Sequence, residues 1–325
     1  MAPVFRYRLS DLVLETDTPL PELAAVEGSV APETRVTWML PLIEPISGST
    51  FSSWTTGEGQ DWLRFADIDG GFLLTFPEFG QFEVDADASR VVVHPFAATS
   101  ADTMRHLLMN QVLPLALARR GRLVLHASAV SYLDRVIVLI GRGGSGKSTL
   151  AMACASAGAS IVTDDCLVVN RRGDTWTAVP CHAGVRLWPA SLGLLGWEGD
   201  AGEQNLQLSY KRRLDESDRL RFESRELPIA AVVYLPPMSS AESPTSALGP
   251  GAKAQRVQGR DAVMALASEL FRLDSRDTSE SRRQFDAVAE MAARIPMEII
   301  ERTAPAEAAE ALLCRMSSSW RRSGD

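Results

Sequence analysis

The sequence predicts an α/β protein with a phosphate-loop core and a small β-rich domain before it. Three observations predict this. Residues 136–140 form an unbroken β-branched and aliphatic run, as expected of a strand covered on both faces. The run leads directly into Gly141-Arg142-Gly143-Gly144-Ser145-Gly146-Lys147-Ser148, which fits the pattern G-x-x-x-x-G-K-[ST] at every fixed position. An Ala-, Leu- and Met-rich helix over 149–157, closing at Gly158, then precedes a strand that ends in Thr163-Asp164-Asp165.

Composition sets the outer bounds. A chain of 325 residues holds one large domain or two of ordinary size. Its net charge of −8 argues against general affinity for nucleic acid or an anionic membrane, and leaves room for a local basic patch that binds a phosphate. Cys154, Cys166, Cys181 and Cys314 are widely spaced without a C-x-x-C pair, and read as reduced thiols rather than a disulfide framework or a metal site. There is no apolar segment of signal-peptide or membrane-spanning character, so a cytoplasmic protein is expected.

In chain order, residues 1–98 form the β-rich accessory domain. Candidate strands are 4–14, 35–40, 62–66, 71–76, 82–84 and 91–95, with hairpin turns at Asp69-Gly70-Gly71 and 85–89. The second domain is expected over 99–325. Met104, Leu107, Leu108, Val112, Leu115 and Leu117 recur at helical spacing over 100–119, with Ser100 or Asp102 as cap and Pro114 as a kink. Residues 123–130 read as a strand that forms a hairpin with the loop strand. This would set His126 and Ser128 on one face beside the nucleotide, where His126 is either a core residue or a functional one.

Further on, 175–179 and 230–235 read as strands and 190–195 as a short helix. Residues 239–255 are a low-complexity Ser, Ala, Gly and Pro stretch expected to form a mobile surface loop. Helices are expected over 260–273, 281–293 and 305–316, the last capped by Thr303, with a short strand over 296–301 and a frayed end from 317.

The chemistry dictates the loop residues. Glycines let successive backbone N–H groups approach phosphate oxygens. Gly141, Gly143, Gly144, Ser145, Gly146, Lys147, Ser148 and Thr149 are therefore the expected ATP contacts. Lys147 serves as counter-charge to the terminal phosphates, and the Ser148 hydroxyl is available to Mg²⁺. The chain has 33 Lys and Arg, of which only Lys147, Lys211 and Lys253 are lysine, and one of these three stands in the loop. Adjacent carboxylates at a strand end beside the loop should divide two tasks, one holding Mg²⁺ and the other accepting the acceptor's proton. Asp165 is expected with Ser148 at the metal, with the roles of Asp164 and Asp165 open to exchange because strand direction is only inferred. Arg186 is either a group that stabilises transferring phosphate or the partner of a carboxylate. Lys211, in the basic stretch Lys211-Arg212-Arg213, is either a phosphate contact or a solvated charge.

Leu125-His126-Ala127-Ser128, then 141–148, then Thr163-Asp164-Asp165 occur in an order that resembles the HPr kinase/phosphorylase superfamily. The chain is closest in look to that superfamily's HPr-kinase-like branch, which includes lasso-peptide precursor kinases. Arg186-Leu187-Trp188-Pro189 and Lys211-Arg212-Arg213 are similar to that branch too. The resemblance implies a P-loop kinase core of the HPr kinase/PEP carboxykinase type over about 100–316. It implies that Lys147 and Ser148 bind phosphates and Mg²⁺, that Asp164 is the base on a serine hydroxyl, and that Asp165 and His126 orient that hydroxyl or the metal. The E-x-R-G-x-G segment of the bifunctional enzymes is missing, and His182-Ala183-Gly184-Val185-Arg186 stands in its place. That departure weighs against a phosphorylase activity and against HPr as substrate. The expected function is ATP-dependent transfer to a serine of a peptide or protein, and the chain could also act as a homo-oligomer. A nucleotide-binding regulator and a small-molecule kinase are the alternatives.

Overall fold

The structure, a computed structural model, describes residues 3–28, 30–56, 59–200, 202, 206–207, 209–236, 255–300 and 304–322. It is a mixed α/β protein with several sheets and two compact units. The first unit comprises Met1–Val124, Gln204–Tyr210 and Phe271–Ser281; the second comprises Leu125–Glu203, Lys211–Leu270 and Arg282–Asp325. The unit that contains the N-terminal sheet thus runs on past residue 98, the expected domain boundary, through two helices.

The first unit is built on nine strands: β1 (Phe5–Leu9), β2 (Leu12–Thr16), β3 (Ala24–Ala25), β4 (Thr34–Trp38), β5 (Ser49–Thr55), β6 (Asp61–Ile68), β7 (Gly71–Phe76), β8 (Gly80–Asp85) and β9 (Arg90–Pro95). They form one sheet in the order β3-β1-β2-β4-β9-β8-β7-β6-β5. The single strand expected over 4–14 is two, because Ser10 adopts φ 57° and turns the chain into a two-residue hairpin. β5 has no regular alternation of apolar and polar residues, and sequence reading misses it. The expected helix over 100–119 is α1 (Ala101–Leu107), a π-helical turn over Leu108–Val112, and α2 (Leu113–Arg119). Ser100 caps α1 by accepting the Thr103 N–H at 3.2 Å. Pro114 is the second residue of α2, which directly follows the π-helical turn, the irregularity in an otherwise continuous helix.

β10 (Leu123–Leu125) lies where the two units divide along the chain. The second unit contains β11 (Ser128–Tyr132), β12 (Arg135–Ile140), α3 (Lys147–Ser156), β13 (Ser160–Thr163), β14 (Leu167–Arg172), β15 (Thr175–Val179) and β16 (Val185–Leu187). After these come α4 (Pro189–Leu195), β17 (Arg212–Leu214), β18 (Leu227–Tyr234), β19 (Gln255–Val257), α5 (Gly259–Ala267), α6 (Thr278–Arg294, which begins in the first unit), β20 (Met297–Ile299) and α7 (Pro305–Arg322). The strands line up as β14-β15-β18-β12-β11-β13, and β20 also pairs with β18. β12 and β18 are parallel, whereas β11 runs antiparallel to both β12 and β13.

That arrangement decides where the chemistry sits. β12 and β13 run the same way on either side of β11, so Gly141 and Asp164 leave the sheet at the edge where Ser128 enters it. Helix α3 has apolar or small residues nearly all round, which suits burial on two sides. Leu150, Met152, Ala153 and Cys154 share a core with Ile137, Leu139 and Val233 of the sheet and with Ala309, Leu312 and Leu313 of α7. α7 runs on to Arg322, past the expected end at 316. Residues 239–254 and Thr303, expected as a loop and a cap, lie outside the described residues.

Candidate active site

The loop 141–146 joins β12 to α3, and its backbone departs from what a side chain would tolerate. Gly141 has φ 142°, and a Cβ there would lie 2.3 Å from the carbonyl oxygen of Leu235, the residue after β18, so only glycine fits. At Gly143, Gly144 and Gly146 an added Cβ would meet nothing within 4 Å, so this side of the loop is open. Ser145 Oγ is buried with no hydrogen-bond partner and lies on the Gly141 side of the loop. Lys147 is buried too. Its Nζ donates to the Gly141 carbonyl at 2.5 Å. Burial holds the Lys147 ammonium below the ordinary lysine value, against the attraction of Glu269, Asp165 and Asp164. An open glycine cradle, an unsatisfied hydroxyl and a buried cation together fit an anionic, phosphate-bearing ligand.

Asp164 follows directly on β13 and is buried. Its Oδ1 accepts from Ser128 Oγ at 2.5 Å and from Ser148 Oγ at 2.9 Å, and its Oδ2 accepts from the Arg186 N–H at 3.4 Å. Burial pushes this carboxyl above the usual carboxylate range. The Asp165 charge acts the same way, and the two hydroxyls and the Lys211 charge act against it. Ser148, expected beside the metal with Asp165, therefore contacts Asp164 instead.

Asp165 differs in every respect. It has φ 69°, a left-handed conformation uncommon for a residue with a side chain. The pair is thus not two steps of an extended strand, because the chain turns at Asp165. Asp165 Oδ1 lies 3.6 Å from His126 Nε2, and both side chains are partly exposed. His126 is not on a strand with Ser128. The chain breaks at His126-Ala127 between β10 and β11, and the His126 N–H donates to the Glu269 carbonyl at 2.7 Å.

The remaining expected residues are spread around this group. Thr149 is the third residue of α3, and its hydroxyl lies 3.0 Å from that of Ser191 on α4. Arg186, on β16, is buried and meets Asp164 through its backbone. Lys211 Nζ stands 5.8 Å from the centre of the Trp188 ring, and its charge is felt at both Lys147 and Asp164. Sequence reasoning missed Glu269. This buried carboxylate exerts the largest attraction on Lys147, yet it belongs to no motif and sits in an apolar stretch after α5. Among the described residues no group of three or more His, Cys, Asp or Glu could hold a metal by itself. No described helix is long and apolar enough to cross a membrane.

No protein-family model matches the chain. No curated protein matches it either. Among solved structures it is similar to that of the Hpr(Ser) kinase/phosphatase from Coxiella burnetii, at 10% identity and a TM-score of 0.32, over 61% of this chain and 98% of that one. At that TM-score the likeness assigns no activity to this chain.

Proposed function

We propose that the chain is a serine kinase, which transfers a phosphoryl group from ATP with Mg²⁺ to a serine hydroxyl of a peptide or protein. The observation that carries this reading is the unlike pair at the end of β13. One carboxylate is buried against the loop hydroxyl Ser148, and its neighbour is turned out beside His126. A protein that only binds nucleotide needs the first of these and has no use for the second.

In this reading the loop amides and Lys147 take the phosphates, and Ser148 and Asp164 hold the metal. A site with one carboxylate and one hydroxyl suits Mg²⁺, which takes few protein ligands and shares the rest of its shell with phosphate and water. When bound, the ion neutralises charge on the transferring group. Asp165 accepts the proton of the serine hydroxyl as that oxygen bonds to phosphorus and the bond to the leaving diphosphate breaks. The tasks of Asp164 and Asp165 are thus exchanged relative to those the resemblance implies. His126 neighbours Asp165 and orients it. Lys211 and Arg186 add positive charge near the loop.

Incubating the protein with ATP, Mg²⁺ and a panel of serine-containing peptides, read by mass, tests the proposal. A phosphorylated serine is the expected product. Nucleotide binding without a phosphorylated peptide across the panel would point to a regulator, and efficient phosphorylation of free serine to a small-molecule kinase.

A further inference from the structure

Ser128 lies at the centre of this site, and the reading above gives it no task. We propose that Ser128 is a positioning residue for magnesium-dependent nucleotide binding, its hydroxyl holding Asp164 so that Oδ1 faces Ser148. The inference rests on the proposed function, because it requires a metal-bound nucleotide at this loop.

The geometry begins in the sheet. β11 pairs with β13 as Ser131 to Ser160 and Val130 to Ile161, and then the register shifts, so that Ala129 pairs with Thr163. Carried on by one residue, the shifted register sets Ser128 opposite Asp164 and on the same face. Without the bulge Ser128 would lie opposite Thr163, and Asp164 would fall on the other face from it. The bulge is therefore what brings the two side chains together. Ser128 is fully buried, where an unpaired hydroxyl would be costly, and its Oγ donates to Asp164 Oδ1 at 2.5 Å. The Ser148 hydroxyl shares that oxygen at 2.9 Å, whereas the contact to Oδ2 is longer, at 3.4 Å. The two hydroxyls are the close contacts that fix the carboxylate's orientation. Of the two, Ser128 lies on a strand away from the phosphate loop, so it can keep its hold when the loop takes a ligand.

The test is equilibrium binding of a fluorescent ATP analogue to the full chain, with excess Mg²⁺ and in EDTA, for wild type, Ser128→Ala and Ser128→Thr. Removing a group that orients a metal ligand typically weakens metal affinity about 10- to 100-fold. Ser128→Ala is expected to lose at least about tenfold of the Mg²⁺-dependent gain in affinity and to bind in EDTA as wild type does, while Ser128→Thr, which keeps the hydroxyl, restores most of the gain. A Ser128→Ala protein with the full Mg²⁺-dependent gain overturns the proposal. So does an equal loss with and without Mg²⁺, which is what a structural role alone would give. A wild-type protein that shows no Mg²⁺-dependent gain overturns the proposed function itself and this role with it.

Discussion

Charged groups behave in opposite ways around Arg276 and at the loop. In the sheet unit, Arg276 bonds Asp67 through both guanidinium branches at 2.7 Å, bonds Asp274 at 2.9 Å and lies 3.6 Å over the Phe51 ring. Those bonds to Arg276 hold the Asp67 and Asp274 carboxyls below their usual value. Asp277 is lowered as well, chiefly by the Glu280 N–H. At the loop the shifts reverse, although Arg225 and Arg172 hold Glu223 and Glu226 of the same unit below their usual value. Burial raises the Asp164 carboxyl and lowers the Lys147 ammonium, so folding disfavours the charged form of each. Structural ion pairs are built to be content without a ligand. Groups shifted against their charged forms cluster at functional sites, which fits the role proposed for the loop.

That contrast can be broken or sharpened by substitution. The largest effect is expected at Lys147. Lys147→Ala should abolish phosphoryl transfer and weaken nucleotide binding, because the terminal phosphates lose their main side-chain counter-charge. Wild-type turnover would remove the loop from the chemistry.

The core under the loop comes next. Leu312 on α7 is fully buried in the cluster that supports α3. Leu312→Ala should cost about 2–5 kcal/mol of stability in urea unfolding, the range for emptying a buried leucine site. A cost below about 1 kcal/mol would mean that α7 does not support the loop helix.

Asp164 gives a smaller effect with a definite sign. Its folded value is raised above the ordinary 3.8, so between the two values the native state holds more protons than the unfolded one. Stability of the nucleotide-free protein should therefore fall as pH rises through that window, and remain lower above it. Asp164→Asn removes this dependence. Urea unfolding across pH should show the variant gaining on wild type as pH increases; parallel curves would contradict the assignment. Smallest of all is Arg276→Ala in the other unit. Exposed ion pairs contribute little, so a minor drop in melting temperature and unchanged transfer are expected.

Much of the second unit was legible in the sequence, because its signals are local. The apolar run at 136–140, the loop pattern, Gly158 and the strand before Asp164 correspond to β12, the loop, the end of α3 and β13. The failures lie where the outcome depends on tertiary context. A left-handed turn at Ser10 split one expected strand, and the break at His126-Ala127 separated a histidine from the serine two residues on. The tasks proposed for the two aspartates rest on φ at Asp165 and on the bulge that brings Ser128 to Asp164, and neither leaves a mark in a residue pattern. Glu269 had no signal at all. Its place beside His126 comes from a bridge between Leu125 and Leu270, residues far apart in the chain.

The central claim is the division of labour between Asp164 and Asp165. Single-turnover transfer to a phosphorylatable peptide, followed across Mg²⁺ concentrations for Asp164→Asn and Asp165→Asn, tests it most directly. Asp165→Asn should slow transfer by about 10²- to 10⁴-fold at saturating Mg²⁺ while leaving the half-saturating Mg²⁺ concentration near that of wild type. Asp164→Asn should raise that concentration at least about tenfold. The reverse pattern, with the metal requirement shifting in Asp165→Asn alone, would contradict the account.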